Sequence, residues 1–394
     1  MVTLLFKPIE ALHFGGFGEF NPTVRGPAAL GKVLTMPLPT TILGLLAYLN
    51  KDKVQSIEKP LGTLGADYEI LEKVFKISEF YIRGPYLIID NDVYFVIDNL
   101  VINLSNPDME NGIYRYIAYT FAKVLGKEDE VKEYTERLFE NQLSIIKFLG
   151  IGLKRGLKIP DEDRGLLYLS EYIDYVITGH LEKKYHDTYI AIDINKIDLS
   201  KLKEELKDHI GKPVRLGGES RIALMLIKED VKTFEKICKA FLDKESKNYL
   251  LIHITPVIIN VRVDKKDKMY INIEELKKHL FRNYSENLEL IGIIGKFGKD
   301  PLGIVGLGFN EIKKVKRPLK IAVMSGSISI VKDVDTKILE NLCEEGVGDD
   351  YCDGIECYKI GFGTILPISL EKLPTNVKGI VDELIKILEC TYEN

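Results

Sequence analysis

Tryptophan is absent from this 394-residue chain, and glutamine occurs only at Gln55 and Gln142. No apolar run reaches membrane-spanning length. The longest candidate near the start, 38–49, is interrupted by Pro39 and Gly44 and follows no basic leader, so the expectation is a soluble, cytoplasmic protein without membrane contact. Cysteine is sparse, with five residues at 238, 343, 352, 357 and 390. There is no CxxC pair, and Cys352 and Cys357 have no nearby His pair, which argues against zinc. Plain buried thiols are expected, with a Cys352–Cys357 disulfide as the alternative, since cytosol of hyperthermophiles tolerates such bonds and the Lys, Glu and Ile richness here has that character. An excess of positive charge is also missing. With 59 acidic and 54 basic residues the formal charge is -5, so any nucleic-acid contact must be a local groove rather than a general basic coat.

What the chain does have is size and pattern. At 45% hydrophobic and 29% charged content it can bury a large core, and it is expected to divide into two domains, residues 1–230 and 231–394. In the first, a strand over 2–14 leads into a glycine loop at 15–26, and a helix follows over 37–50. Strands joined by hairpins fill 75–104, and a helical insertion covers 113–125 and 128–139. A strand at 189–194, a helix from Ser200 to about His209 and a strand at 221–228 close the unit. After a connecting helix at 231–242, the order repeats: strand 249–263, helix 273–281, strands 290–295 and 321–331, helix 336–342, strand 358–366. With insertions set aside, each half reads β-α-β-β-α-β. The fold class is therefore α+β, two tandem ferredoxin-like (RRM-like) domains with insertions and glycine-rich loops, helices packed on one face of each antiparallel sheet.

Two glycine-rich segments, 214–221 (VRLGGESR) and 346–364 (GVGDDYCDGIECYKIGFGT), occupy the same position in the two halves, between the second helix and the last strand. Glycine permits positive φ and close approach of another chain to its amides, so these loops, set near basic residues, suggest a surface that grips a polyanion. The candidate RNA-contacting residues are Gly15, Gly16, Phe17, Arg25, Lys154, Arg155, Arg164, Arg215, Gly217, Gly218, Arg221, Gly361 and Gly363. Phosphate calls for charged donors and exposed N–H groups, and unpaired bases call for aromatic platforms such as Phe17 and Phe20. Lys313, Lys314, Lys316 and Arg317 read equally well as a solvated face. The later loop carries Asp349, Asp350 and Asp353, so it is expected to shape a groove or subunit interface, leaving the earlier one as the better RNA contact.

Catalytic patterns are weak. His13 beside a glycine loop could act as a general base in metal-independent RNA cleavage, yet it lacks a second His nearby in sequence. Gly348-Asp349-Asp350 resembles a polymerase-type magnesium pair, but the first strand of that half offers no further carboxylate before Asp264. Asp161-Glu162-Asp163 reads as a solvated loop. The segments 15–18 and 303–308 lack the Lys-Ser/Thr of a P-loop and the strand-turn-helix setting of a dinucleotide site. No catalytic residue, metal or cofactor is expected.

Several strings, in order along nearly the whole chain, resemble the RAMP superfamily of CRISPR systems and, within it, the Cmr subunit-three family of type III-B effector complexes. They are 36–49 (MPLPTTILGLLAYL), Arg83-Gly84-Pro85, 151–155 (IGLKR) with 165–172 (GLLYLSEY), 216–221 (LGGESR), Thr255-Pro256, Arg317-Pro318, 325–327 (SGS) and 361–367 (GFGTILP). The resemblance implies a non-catalytic ribonucleoprotein subunit that caps the CRISPR RNA (crRNA) at its 5′ repeat-derived handle and serves antiviral defence. Its implied partners are the crRNA, the large polymerase-like Cmr subunit, the adjacent backbone subunit, and target RNA through the complex. Alternatives are a repeat-processing endoribonuclease of the same superfamily using His13, the equivalent type III-A (Csm) subunit, and an adaptor that binds mainly protein.

Overall fold

A computed structural model describes residues 2–16, 30–31, 33–50, 81–105, 112–151, 167–178, 187–195, 199–218, 220–228, 233–261, 272–310, 315–352 and 355–392. The first half supplies strands β1 (Val2–Pro8), β2 (Leu30–Gly31), β3 (Tyr81–Ile89), β4 (Asp92–Ile97), β5 (Leu100–Asn103), β6 (Gln142–Ile151), β7 (Leu167–Thr178), β8 (Thr188–Asn195), β9 (Pro213–Arg215) and β10 (Ile222–Lys228). They form one sheet in the order β2-β7-β6-β5-β4-β3-β8-β1-β10-β9. Neighbours run antiparallel except β2 with β7. Period-two alternation along β1 sends Val2, Leu4 and Phe6 into one core and Leu5 into another. Helices α1 (Pro39–Leu49) and α4 (Leu199–Leu206) cover the first of these faces, with Ile42, Leu46, Leu202 and Leu206 buried there. Pro39 suits the opening turn of α1, where its missing N–H leaves no bond unmade. The insertion forms α2 (Gly112–Leu125), α3 (Glu128–Thr135) and a 3₁₀ turn, Glu136–Phe139.

The second half contains α5 (Phe234–Phe241), β11 (Tyr249–His253), β12 (Val257–Ile258), α6 (Ile273–Phe281), β13 (Glu289–Ile294), β14 (Leu302–Gly306), β15 (Phe309–Asn310), β16 (Val315–Lys316), β17 (Leu319–Val323), β18 (Ile328–Lys332), α7 (Thr336–Glu345), β19 (Tyr351–Cys352), β20 (Ile355–Glu356), β21 (Ile365–Ser369) and α8 (Thr375–Tyr392). Four strands make a sheet ordered β13-β18-β11-β21, and three make another ordered β12-β17-β14. One face of the four-stranded sheet, through Tyr249, Leu251 and Val331, packs on α6 and α7. Its other face, through Leu250, Ile252 and Ile330, joins Leu5, Ile88 and Phe95 of the first sheet in a shared core that also takes the apolar sides of α2, α5 and α8. A buried carboxylate crosses the same junction: Asp193 accepts from the Thr3 hydroxyl at 2.7 Å and from the Phe234 amide at the start of α5 at 2.9 Å.

The architecture is thus mixed α/β with mostly antiparallel sheets. Three expected strands are broken. The stretch 249–263 divides into β11 and β12 around Ile254–Pro256, and 321–331 divides into β17 and β18, which enter different sheets. The second break falls at Gly326, whose φ of +86° ends extended pairing. The stretch 358–366 begins instead as a 3₁₀ turn, Cys357–Ile360, before β21. The strand expected over 2–14 ends at Pro8, although the Ile9 amide still bonds the Ile222 carbonyl. The expectation of plain buried thiols fails at two positions: Cys357 is disulfide-bonded and Cys390 is exposed, while Cys238 and Cys343 are free and buried. The β19–β20 hairpin, with Cys352 opposite Ile355, turns the chain back toward Cys357.

Candidate nucleic-acid interface

The earlier glycine segment lies at the edge of the ten-stranded sheet, between β9 and β10. After β1 the chain runs alongside it: the Ile9 amide donates to the Ile222 carbonyl at 3.2 Å, and Glu10 Oε1 accepts from the Ile222 amide at 3.0 Å. Leu12 then exchanges bonds with Ile173 of β7 at 2.9 and 2.8 Å. The Gly218 amide donates to the His13 carbonyl at 2.8 Å, and the turn closes through Leu216 N–H to the Arg221 carbonyl at 2.9 Å. A Cβ on Gly217 would lie 2.4 Å from the His13 carbonyl oxygen, and one on Gly218 would lie 2.9 Å from the His13 ring. These glycines are required by close approach of the protein's own backbone. The Gly218 amide is consequently occupied.

Arg221 is the centre of the cationic group. Its Nη1 donates to Glu10 Oε2 at 2.7 Å, and its guanidinium lies 4.2 Å from the Tyr172 ring centroid and 6.0 Å from that of Phe148. The Tyr172 hydroxyl and then Glu10 push its ionisation further up, so the charge is permanent at physiological pH. Phe148 on β6 is 48% exposed and meets Tyr172 edge-on at 5.1 Å. Lys147 pairs with Glu171 at 3.4 Å and keeps about half of its side chain in solvent. Arg215, opposite Ile222, is exposed and has no ion-pair partner among the described residues. The arrangement offers phosphate donors beside one exposed aromatic face, the combination that single-stranded nucleic acid requires.

Gly15 bridges Val33 and is exposed, and Gly16 is half-buried. Phe17, Phe20, Arg25, Lys154, Arg155 and Arg164 lie outside the described residues. Gly361 and Gly363 are elsewhere and buried. A Cβ on Gly361 would lie 3.0 Å from the Gly84 carbonyl oxygen, and one on Gly363 would lie 1.9 Å from that of Val347. The later loop thus binds Arg83-Gly84-Pro85 of β3 to the second half, with Gly84 N–H donating to the Thr364 hydroxyl at 3.2 Å. Two of its acids are engaged, Asp349 accepting from His279 at 2.6 Å and Asp350 pairing with Lys320 at 2.8 Å, while Asp353 lies outside the described residues. Arg317 is buried rather than part of a solvated face.

His13 Nδ1 lies 2.7 Å from the Glu171 carbonyl, which can only accept, so Nδ1 carries the proton and Nε2 is left as the basic nitrogen of the neutral ring. Among the described residues no three His, Cys, Asp or Glu side chains gather to hold a metal, and no helix is long and apolar enough to cross a membrane. Phe148, Lys147 and Glu10 were not anticipated. The alternation along β6 could have pointed to the first two, whereas Glu10 and Arg221 lie 211 residues apart in sequence and meet only because β1 and β10 are neighbours, which leaves no local trace.

No protein-family profile matches the chain. Among curated proteins it is 24% identical over 381 residues to the CRISPR system CMR subunit Cmr3 of Saccharolobus solfataricus, a match covering 93% of this chain and 96% of that protein. Among solved structures, a chain of the type III-B Cmr-beta complex bound to cognate target RNA and AMPPnP superposes with a TM-score of 0.51 at 17% identity, covering 92% of this chain and 95% of that one. A chain of the same complex bound to cognate target RNA gives 0.51 at 16%, covering 92% and 96%.

Proposed function

We propose, from the premise that the chain is Cmr3-like along nearly its whole length, that it is a non-catalytic crRNA-binding subunit of a type III-B CRISPR effector complex. It caps the 5′ repeat-derived handle and bridges the large polymerase-like subunit to the adjacent backbone subunit, meeting target RNA through the complex in the cytoplasm. The observation that carries this reading is the collinear match over 93% of the chain and 96% of its relative.

Two tandem ferredoxin-like units, 1–230 and 231–394, are part of the proposal. The strand order β10-β1-β8-β3, with α1 after β1 and α4 after β8, supports the first; β21-β11-β18-β13, with α6 after β11 and α7 after β18, supports the second. In the first unit Arg221, Arg215, Lys147 and Phe148 would meet the RNA, joined by Gly15 and Gly16 and by Phe17, Arg25, Lys154, Arg155 and Arg164. Gly217 and Gly218 hold the turn that presents Arg221. Gly361 and Gly363 shape the junction of the halves.

The test is binding of labelled RNA to the purified protein, alone and with its large partner. Preference for RNA carrying the repeat-derived handle over a scrambled sequence is expected, with the RNA recovered intact. Equal affinity for both would end the proposal, and cleavage of repeat RNA that disappears in His13→Ala would replace it with the endoribonuclease reading.

A further inference from the structure

Two arginines from opposite halves of the chain meet in the interior, and the described residues give them no matching pair of acids. Arg83, on β3, is 2% exposed. Arg282 follows α6, and its side chain is also largely buried. Gly346, the cap of α7, touches both: its carbonyl accepts from Arg282 Nη2 at 2.8 Å, and a Cβ on it would lie 3.4 Å from the Arg83 guanidinium carbon. Among the described residues the only carboxylate paired with either is Glu345, 3.6 Å from Arg282 Nη2. Tyr81 lies 5.4 Å from the Arg83 guanidinium and Tyr358 lies 3.5 Å from that of Arg282.

The hydrogen-bond pattern is uneven. Arg83 Nη1 donates to the carbonyls of Ile82 and Tyr358. Its Nε and Nη2, together with Arg282 Nη1, are shielded from solvent and have no partner among the described residues. Nε and Nη2 form one edge of the planar guanidinium, two parallel N–H groups spaced for a carboxylate or phosphate. Cation–π contact offsets only part of what an unpaired buried charge costs. Burial, and then the neighbouring Arg282, push the ionisation of Arg83 down to about 9, which still leaves it charged at neutral pH. Two cations against one carboxylate leave one positive charge uncompensated.

We propose that Arg83 and Arg282 form a receptor for one small oxyanion of the phosphate or sulfate class, held as an internal counterion where the two halves meet. The Nε–Nη2 edge of Arg83 grips two oxygens and Arg282 Nη1 donates to the anion from the opposite half. Free inorganic anion is the source assigned here, because a residue 2% exposed is reached by a small ion more readily than by a polymer. This inference is independent of the RNA reading above.

Full-length protein freed of phosphate and sulfate would be titrated with inorganic phosphate at constant ionic strength, chloride serving as the control. A saturable rise in Tm of about 3 °C is expected, together with broadening of the ³¹P signal of inorganic phosphate. Both effects should be lost in Arg282→Gln and weakened in Arg282→Lys, which keeps charge but not the fork. Absence of ³¹P broadening by the wild type, or a Tm rise equal to that from chloride, overturns the proposal without involving any variant. A 5′-phosphorylated oligoribonucleotide forms the last arm: an Arg282-dependent shift with it alone, and none with inorganic phosphate, would overturn the free-anion source.

Discussion

The carbonyl oxygen of His13 lies 2.4 Å from where a Cβ on Gly217 would sit. Gly217 also has a φ of +84°, so a side chain there is opposed by both the neighbouring backbone and its own conformation. Gly217→Ala is expected to cost about 2–4 kcal/mol. Gly15, with open space around it and no positive φ, should accept Ala within about 0.5 kcal/mol. Urea denaturation of the two variants beside the wild type checks the contrast; equal stability would mean that the turn does not pack on His13.

Arg221 has a competitor for phosphate already in place, Glu10 at 2.7 Å. If the arginine contacts RNA, Arg221→Ala should lower affinity for handle RNA about tenfold, or ~1.4 kcal/mol, and reduce the salt slope by about 0.7. Glu10→Gln should act in the opposite direction, since it removes a like charge from the phosphate's path. Fluorescence anisotropy over a range of salt concentrations distinguishes the two. A Glu10→Gln variant that binds more weakly would assign the pair to stability alone.

Phe148 is exposed whereas Tyr172, against which it stands, is buried. Phe148→Ala is therefore expected to change stability by less than about 1 kcal/mol yet weaken RNA binding by about 1–3 kcal/mol if a base stacks on the ring. Tyr172→Ala should do the reverse in emphasis, costing about 3 kcal/mol or more of stability. Thermal unfolding and RNA titration on the same samples provide the comparison, and an unchanged RNA affinity for Phe148→Ala would remove the stacking role.

Local pattern revealed most of the helices. The helix over 273–281 has the expected bounds, and the one expected over 37–50 appears as Pro39–Leu49, because apolar spacing and the prolines near its start are local signals. The spacing of Val377, Ile380, Val381, Leu384 and Ile385 carries the same signal for α8, a helix that is not among the expected elements. Breaks in apolar runs were harder. Ile321 and Ile330 belong to different sheets, and only the turn at Gly326 separates their strands. The glycine loops show the limit most clearly: composition reveals that something approaches Gly217 or Gly363 closely, but not that it is the carbonyl of His13 or Val347. Long-range partners such as Glu10 for Arg221, or Arg282 for Arg83, depend on sheet order and have no signature in spacing.

His253 gives the fold a defined acid response. It is fully buried on β11, its Nε2 lies 2.7 Å from the Ser329 hydroxyl, and its Nδ1 has no partner among the described residues. Burial pushes its pKa down to about 3, whereas the unfolded chain titrates near 6.5. Because the folded value is the lower one, the unfolded state alone gains a proton as pH falls below ~6.5, and stability is lost by about 1.4 kcal/mol per pH unit until pH nears 3. Asp193 works in the opposite sense, since its buried carboxyl is raised, but that effect is common to wild type and variant. Between pH 7 and pH 4.5 the wild type should therefore lose about 2.5 kcal/mol more stability than His253→Gln. Urea unfolding of both proteins at the two pH values measures the difference directly, and identical losses would mean that His253 is protonated in the native state.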